Sequence, residues 1–122
     1  MLINRRKKIK FKNVNYNIGV YTYCNGRLRL RLENNKEAHD ITFDLKDCYV
    51  QKEDILLDPV VTQNGLLKIL KKNRIIRRIK GLTNYGYVAI PIAQVNMGIL
   101  KEYDYVGVMK HLEEISTGGL DG

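Results

Sequence analysis

The dipeptide Asn25-Gly26 constrains the first third of this chain more than any other feature. Asn-Gly between alternating apolar residues marks a two-residue hairpin turn, where both central positions need positive φ. Centred there, the register pairs Tyr23 with Leu28, Thr22 with Arg29 and Tyr21 with Leu30. Tyr21, Tyr23, Leu28, Leu30 and Leu32 then share one face, and Arg27, Arg29 and Arg31 the other. A second tight turn centred on Asn35-Lys36 pairs Leu30 with Ile41 and Leu28 with Phe43. It also sets Arg31 opposite Asp40 and Arg27 opposite Asp44. Both faces agree across the strands, which predicts an antiparallel meander.

The flanking segments extend this plan. Lys8 to Lys12 alternates charge with Ile9 and Phe11, as a half-buried strand does. The apolar phase then moves to Val14, Tyr16 and Ile18, which predicts a turn or bulge near Asn13. Asp54 to Leu57 reads as a short strand limited by Pro59. In the stretch GLLKILKKNRIIRRIK (residues 65–80), Leu66, Leu67, Ile69 and Leu70 fall on one helical face. Ile75, Ile76 and Ile79 would point the opposite way, so the helix is expected to end near Asn73, with Thr62 or Asn64 capping its start. Arg74 to Lys80 is then a basic loop or strand approach. Tyr85 to Val95 is apolar on both faces and reads as one covered strand, with Pro91 at an edge or a bulge.

The last helix is expected from Asp104, as its cap, to Ile115. Tyr105, Val108, Met109, Leu112 and Ile115 recur there at helical spacing. The expected fold is one α+β domain over residues 1–115, an antiparallel meander sheet with two helices packed on it, and a flexible tail over 116–122.

The net charge of +8 favours an anionic partner, with solubility as the competing explanation. No apolar run is long enough to span a membrane, and no apolar segment follows the basic start as in a secretory leader. A cytoplasmic, membrane-free protein is expected. Cys24 and Cys48 form no metal-ligand spacing and read as reduced thiols. His39 and His111 read as surface residues, and Ser116, the only serine, lies in the tail. No acid, base and nucleophile set emerges. The expectation is a non-enzyme without metal or cofactor.

Three cation groups remain. Lys68, Lys71, Lys72, Arg74, Arg77, Arg78 and Lys80 have no acid between Asp58 and Glu102, and they are the first choice for an anion or partner surface. Arg27, Arg29 and Arg31, about 7 Å apart along a strand, are the second; pairing with Asp40 and Asp44 would mute them. Arg5, Arg6, Lys7, Lys8, Lys10 and Lys12 form a basic arm. Tyr85 and Tyr87 could stack on a base, or could simply pack the sheet.

In order, the chain holds a Tyr-rich strand, the Asn25-Gly26 turn, an RLRLRL strand, ITFDL, ILLDP, NGLLKILKKN and YGYVAIP. This pattern, over Ile9 to Tyr103, resembles a family of short proteins of unknown function from phages, plasmids and conjugative elements of Gram-positive bacteria. The family's helix is usually acidic and is followed by a Pro-Thr-Gly-Arg loop; here the helix is Lys-rich and Ile76-Arg77-Arg78 replaces the loop. The resemblance implies an accessory protein of a mobile element in a bacterial host, with no catalytic residues to carry over. The expected function is an anti-CRISPR-like inhibitor that blocks a host nucleic-acid-targeting defence system by stoichiometric binding, either to its nucleic acid or to an acidic face of its effector. A direct DNA- or RNA-binding regulator is one alternative. A sponge for a small nucleotide signal, using Arg29 with Tyr85 or Tyr87, is another. An edge strand could pair two copies.

Overall fold

The computed structural model describes residues 6–45, 48 and 50–121, with side chains through 116. Arg5 and part of the expected tail's side chains lie outside that range. The fold is α+β. A four-stranded antiparallel meander is formed in chain order by β1 (Ile9–Phe11), β2 (Val14–Thr22), β3 (Leu28–Glu33) and β4 (Ala38–Asp40). A three-stranded antiparallel sheet, ordered β5-β7-β6, holds β5 (Asp54–Leu56), β6 (Ile76–Tyr85) and β7 (Val88–Val95). A single bridge between Thr42 and Leu57 links the sheets, supported by Phe43 N–H to Leu56 C=O at 2.8 Å.

The Lys12-Asn13 turn forms as the phase change requires, with φ of 51° and 65°. The Asn35-Lys36 register also holds: Arg31 pairs with Asp40 and Leu32 with His39. The first hairpin differs by one residue. Tyr23 N–H donates to Arg27 C=O at 2.8 Å, enclosing a three-residue loop with Gly26 at φ 86°. Thr22 therefore pairs with Leu28 and Val20 with Leu30. That shift carries Tyr21 and Tyr23 to the arginine face. Ile18 and Val20 join Leu28, Leu30 and Leu32 in the core instead.

Three further elements correct the sequence reading. Pro59 ends β5's run and also opens a short helix, α1 (Pro59–Gln63), whose N-cap Asp58 accepts from Val60 N–H at 3.0 Å. The expected strand over Tyr85 to Val95 is one arm of a hairpin that turns at Gly86-Tyr87, and the "basic loop" is its other arm, β6. Strand β7 is central rather than an edge. Pro91 sits one position beyond its ladder with β5: Leu57 N–H still donates to Pro91 C=O at 3.0 Å, but the proline has no N–H to return, so the ladder stops there.

The helix α2 (Leu66–Lys72) ends at Asn73 as expected, with Asn64 Oδ1 accepting from Leu66 N–H at 3.0 Å. However, Asn73 keeps φ −88°, and the left-handed residue is Arg74 at φ 62°. Arg74 N–H bonds Lys71 C=O and Ile75 N–H bonds Leu70 C=O, each at 3.0 Å. This is the glycine-type helix stop with arginine in the glycine position.

The helix α3 (Met97–Asp121) begins seven residues before the expected start and kinks at Asp104, which is extended at φ −155°. Asp104 caps the second half as anticipated, with Oδ1 accepting from Gly107 N–H at 3.0 Å. Leu100, Tyr103 and Val108 enter the core, but Tyr105, Met109 and Leu112 face solvent.

The reason is what the helix packs against. Strand β1 pairs with β2 only as far as Tyr16, leaving β2's outer edge open beyond it. The Arg6 guanidinium bonds Ile18 C=O and Tyr103 C=O, both at 2.7 Å. Asp104 Oδ2 accepts from Val20 N–H at 2.9 Å. Gly107 lies against Val20 C=O, and His111 Nδ1 meets Thr22 Oγ1 at 2.5 Å. A helix laid along a strand edge buries a narrow line rather than a broad stripe. In this way α3 closes an edge that would otherwise expose its main chain.

Candidate anion-binding face

Lys68, Lys71 and Lys72 follow i, i+3, i+4 spacing, so one exposed face of α2 carries all three. None has a carboxylate partner among the described residues, and neither do Arg74 or Arg77. The last two cations of the group differ. Arg78 Nε bonds Gln94 Oε1 at 3.2 Å, a neutral partner. Lys80 Nζ is tied to buried Asp54 at 3.0 Å, which removes it from the free charge. The register of β6 slips between Ile76 and Arg78 and again between Ile79 and Gly81. Arg77 and Lys80 are thus the inserted residues of two bulges, positions that re-aim a side chain.

The arginines at positions 27, 29 and 31 are neutralised, and the basic arm is neutralised only in part. Arg27 sits 3.3 Å from Asp44 and also bonds the carbonyls of Leu45 and Cys48. Arg29 and Arg31 both lie 3.3 Å from Asp40 Oδ1, and Arg29 also stacks over the Tyr23 ring. In the basic arm, Arg6 is structural, and Lys7 pairs with Glu102 at 2.5 Å, which pushes its pKa up. Lys8 and Lys10 have no carboxylate partner among the described residues.

The tyrosines do not join the basic face. Tyr85 packs edge-on against Phe43 with centroids 5.5 Å apart, and Tyr87 stands fully exposed at the turn. The strand from Arg77 to Tyr85 separates them by about 25 Å. Arg29 lines a different cavity from Tyr85.

Sequence reasoning misplaced His111, which is only 2 % exposed. A cavity of about 560 Å³ opens beside it, lined by Cys24, Lys52, Glu114 and the first hairpin turn. Burial pushes the imidazole pKa down, and nearby Glu114 partly opposes this. A base whose folded pKa lies below its unfolded value near 6.5 favours the unfolded state as protons are added. Stability is therefore expected to be intact above pH 6.5 and to fall through that value, levelling off once the folded imidazole itself protonates. Thermal melts of wild type and His111→Gln between pH 7.5 and about 5 check this: the loss on acidification should be smaller in the variant.

Among the described residues, no group of three or more His, Cys, Asp or Glu side chains could hold a metal ion. No helix there is long and apolar enough to cross a membrane. Comparison of the chain with protein-family models, curated proteins and solved structures finds no match.

Proposed function

We propose that this chain is a non-catalytic binding protein whose working face is Lys68, Lys71, Lys72, Arg74 and Arg77, and that this face holds the phosphate backbone of a nucleic acid. The observation that carries the proposal is the contrast in pairing. Arg27, Arg29 and Arg31 are matched to Asp44 and Asp40, whereas these five cations have no carboxylate partner among the described residues. Arg74 adds support. A side chain in the left-handed region costs roughly 1 kcal/mol where glycine would cost little, so an arginine at this position is consistent with a use for the guanidinium. In the setting of a mobile element, which the resemblance implies, such a face suits a stoichiometric inhibitor of a host nucleic-acid-targeting complex.

The substitution Arg74→Gly separates strain from function. It should raise Tm by a few degrees, since relief of about 0.5–1 kcal/mol has that effect at this chain length. It should also weaken binding to a fluorescent oligonucleotide. A variant that is more stable and binds equally well would remove Arg74 from the face. A gel shift with duplex DNA and single-stranded RNA at low salt tests the whole reading: absence of any complex would refute it. A strongly preferred sequence would favour a regulator over an inhibitor.

A further inference from the structure

Strand β6 has no neighbour on its outer side among the described residues. Its two halves treat that open edge differently. From Ile76 to Lys80 it carries two bulges with cations inserted, which discourage pairing. From Gly81 to Tyr85 it runs in regular register against Ile92 to Val88, with no bulge and no charge. Leu82 there is 65 % exposed.

The main chain of this half faces outward at two residues. Leu57 N–H donates to Pro91 C=O at 3.0 Å, so Pro91's main-chain groups face β5. Leu82, its partner in β6, is then in a pair not bridged by hydrogen bonds, and its own N–H and C=O point away from β7. Alternation gives Asn84 the same outward aim. This agrees with the two-residue turn that closes on Tyr85 and Val88.

We infer that the outer edge of Gly81–Tyr85 is a docking site for an extended acidic segment of a partner protein, added as a further antiparallel or parallel strand. Charge decides the occupant. Residues 76–95 contain no Asp or Glu, so a second copy of the hairpin brings no carboxylate to Arg77 and Arg78. An incoming strand flanked by Glu or Asp supplies one at the guarded end, while its backbone pairs with Leu82 and Asn84. This goes beyond nucleic-acid binding: it shares Arg77 with that face but rests on the outward main chain of Leu82 and Asn84, which the α2 lysines do not touch.

The test uses the full chain and a synthetic peptide of alternating Thr and Val flanked by glutamates, with a lysine-flanked counterpart. Amide hydrogen exchange is read at Leu82 and Asn84 by NMR. The acidic peptide should slow both amides about tenfold or more, and the basic peptide should not. Leu82→Pro removes the outward donor without touching the β6–β7 ladder and should abolish the effect at Asn84. Should that variant fail to fold, R77E/R78E keeps the edge intact and should reverse the preference between the peptides. No protection by the acidic peptide, or equal protection by both, overturns the inference. Protection that grows with chain concentration alone assigns the edge to a second copy and overturns it too. Protection by an oligonucleotide in place of the peptide would do the same.

Discussion

Replacing Gly107 with Ala should destabilise the fold by about 2–3 kcal/mol and lower Tm by roughly 10 °C, although Ala is the better helix former. Glycine in a helix interior ordinarily costs about 1 kcal/mol relative to alanine. Here the close approach to β2 requires it. A Cβ at Gly107 would sit 2.6 Å from Val20 C=O, a main-chain atom that cannot rotate away, and would also press on the Asp104 carboxylate. That carboxylate both caps the second half of α3 and accepts Val20 N–H. Pushing the helix outward therefore breaks the cap, the edge bond and the His111–Thr22 contact together. Gly98 provides the control in the same helix, since its added Cβ would meet only Asn96 Oδ1 at 3.4 Å. Gly98→Ala should leave Tm unchanged or raise it. If Gly107→Ala were as stable as wild type, α3 would not be clamped on the edge of β2 as described.

Much of this was legible in the sequence, and the misses have physical causes. The second turn is legible because both faces of β3 and β4 constrain it. The first turn differs by one residue because Asn-Gly favours a two-residue turn, whereas the chain forms a three-residue loop. The core phase argued otherwise: Tyr16, Ile18 and Val20 are even-numbered, as are Leu28, Leu30 and Leu32. Even positions can face even positions only across a loop of odd length. The β6–β7 hairpin is hidden in the sequence because bulges at Arg77 and Lys80 break the alternation of β6, and Gly86 lies within an apolar run that looks like one continuous strand. Helix α1 is too short to show a period, though Asp58-Pro59 is a helix start.

The burial of His111 is not legible from periodicity, because an apolar stripe ordinarily marks the buried face and a helix lying on a strand edge does not follow that rule. For the candidate face, the cations were visible but their pairing was not. Lys80 finds Asp54 across 26 positions of chain. Arg31 with Asp40 was predictable only because a turn fixed it.

Reversing Lys68, Lys71, Lys72 and Arg77 to glutamate should abolish nucleic-acid binding, by a hundredfold or more near physiological salt, while the far-UV CD spectrum stays the same. These side chains are exposed and have no carboxylate partner among the described residues, so no ion pair seen there is lost. Lys71 and Lys72 favour the negative end of α2, and losing them costs about 1–2 kcal/mol together. Arg29→Glu should behave in the opposite way. It sets a carboxylate beside Asp40, which costs stability, and leaves binding near wild type.

The most direct measurement is the salt dependence of oligonucleotide affinity for the wild type and the fourfold variant. Five phosphate contacts predict a slope of log K against log salt of roughly −3 to −5 for the wild type, and no steeper than about −1 for any residual binding of the variant, which keeps only Arg74. A flat wild-type response, or two equal slopes, would contradict the claim that these cations are free to meet a phosphate backbone.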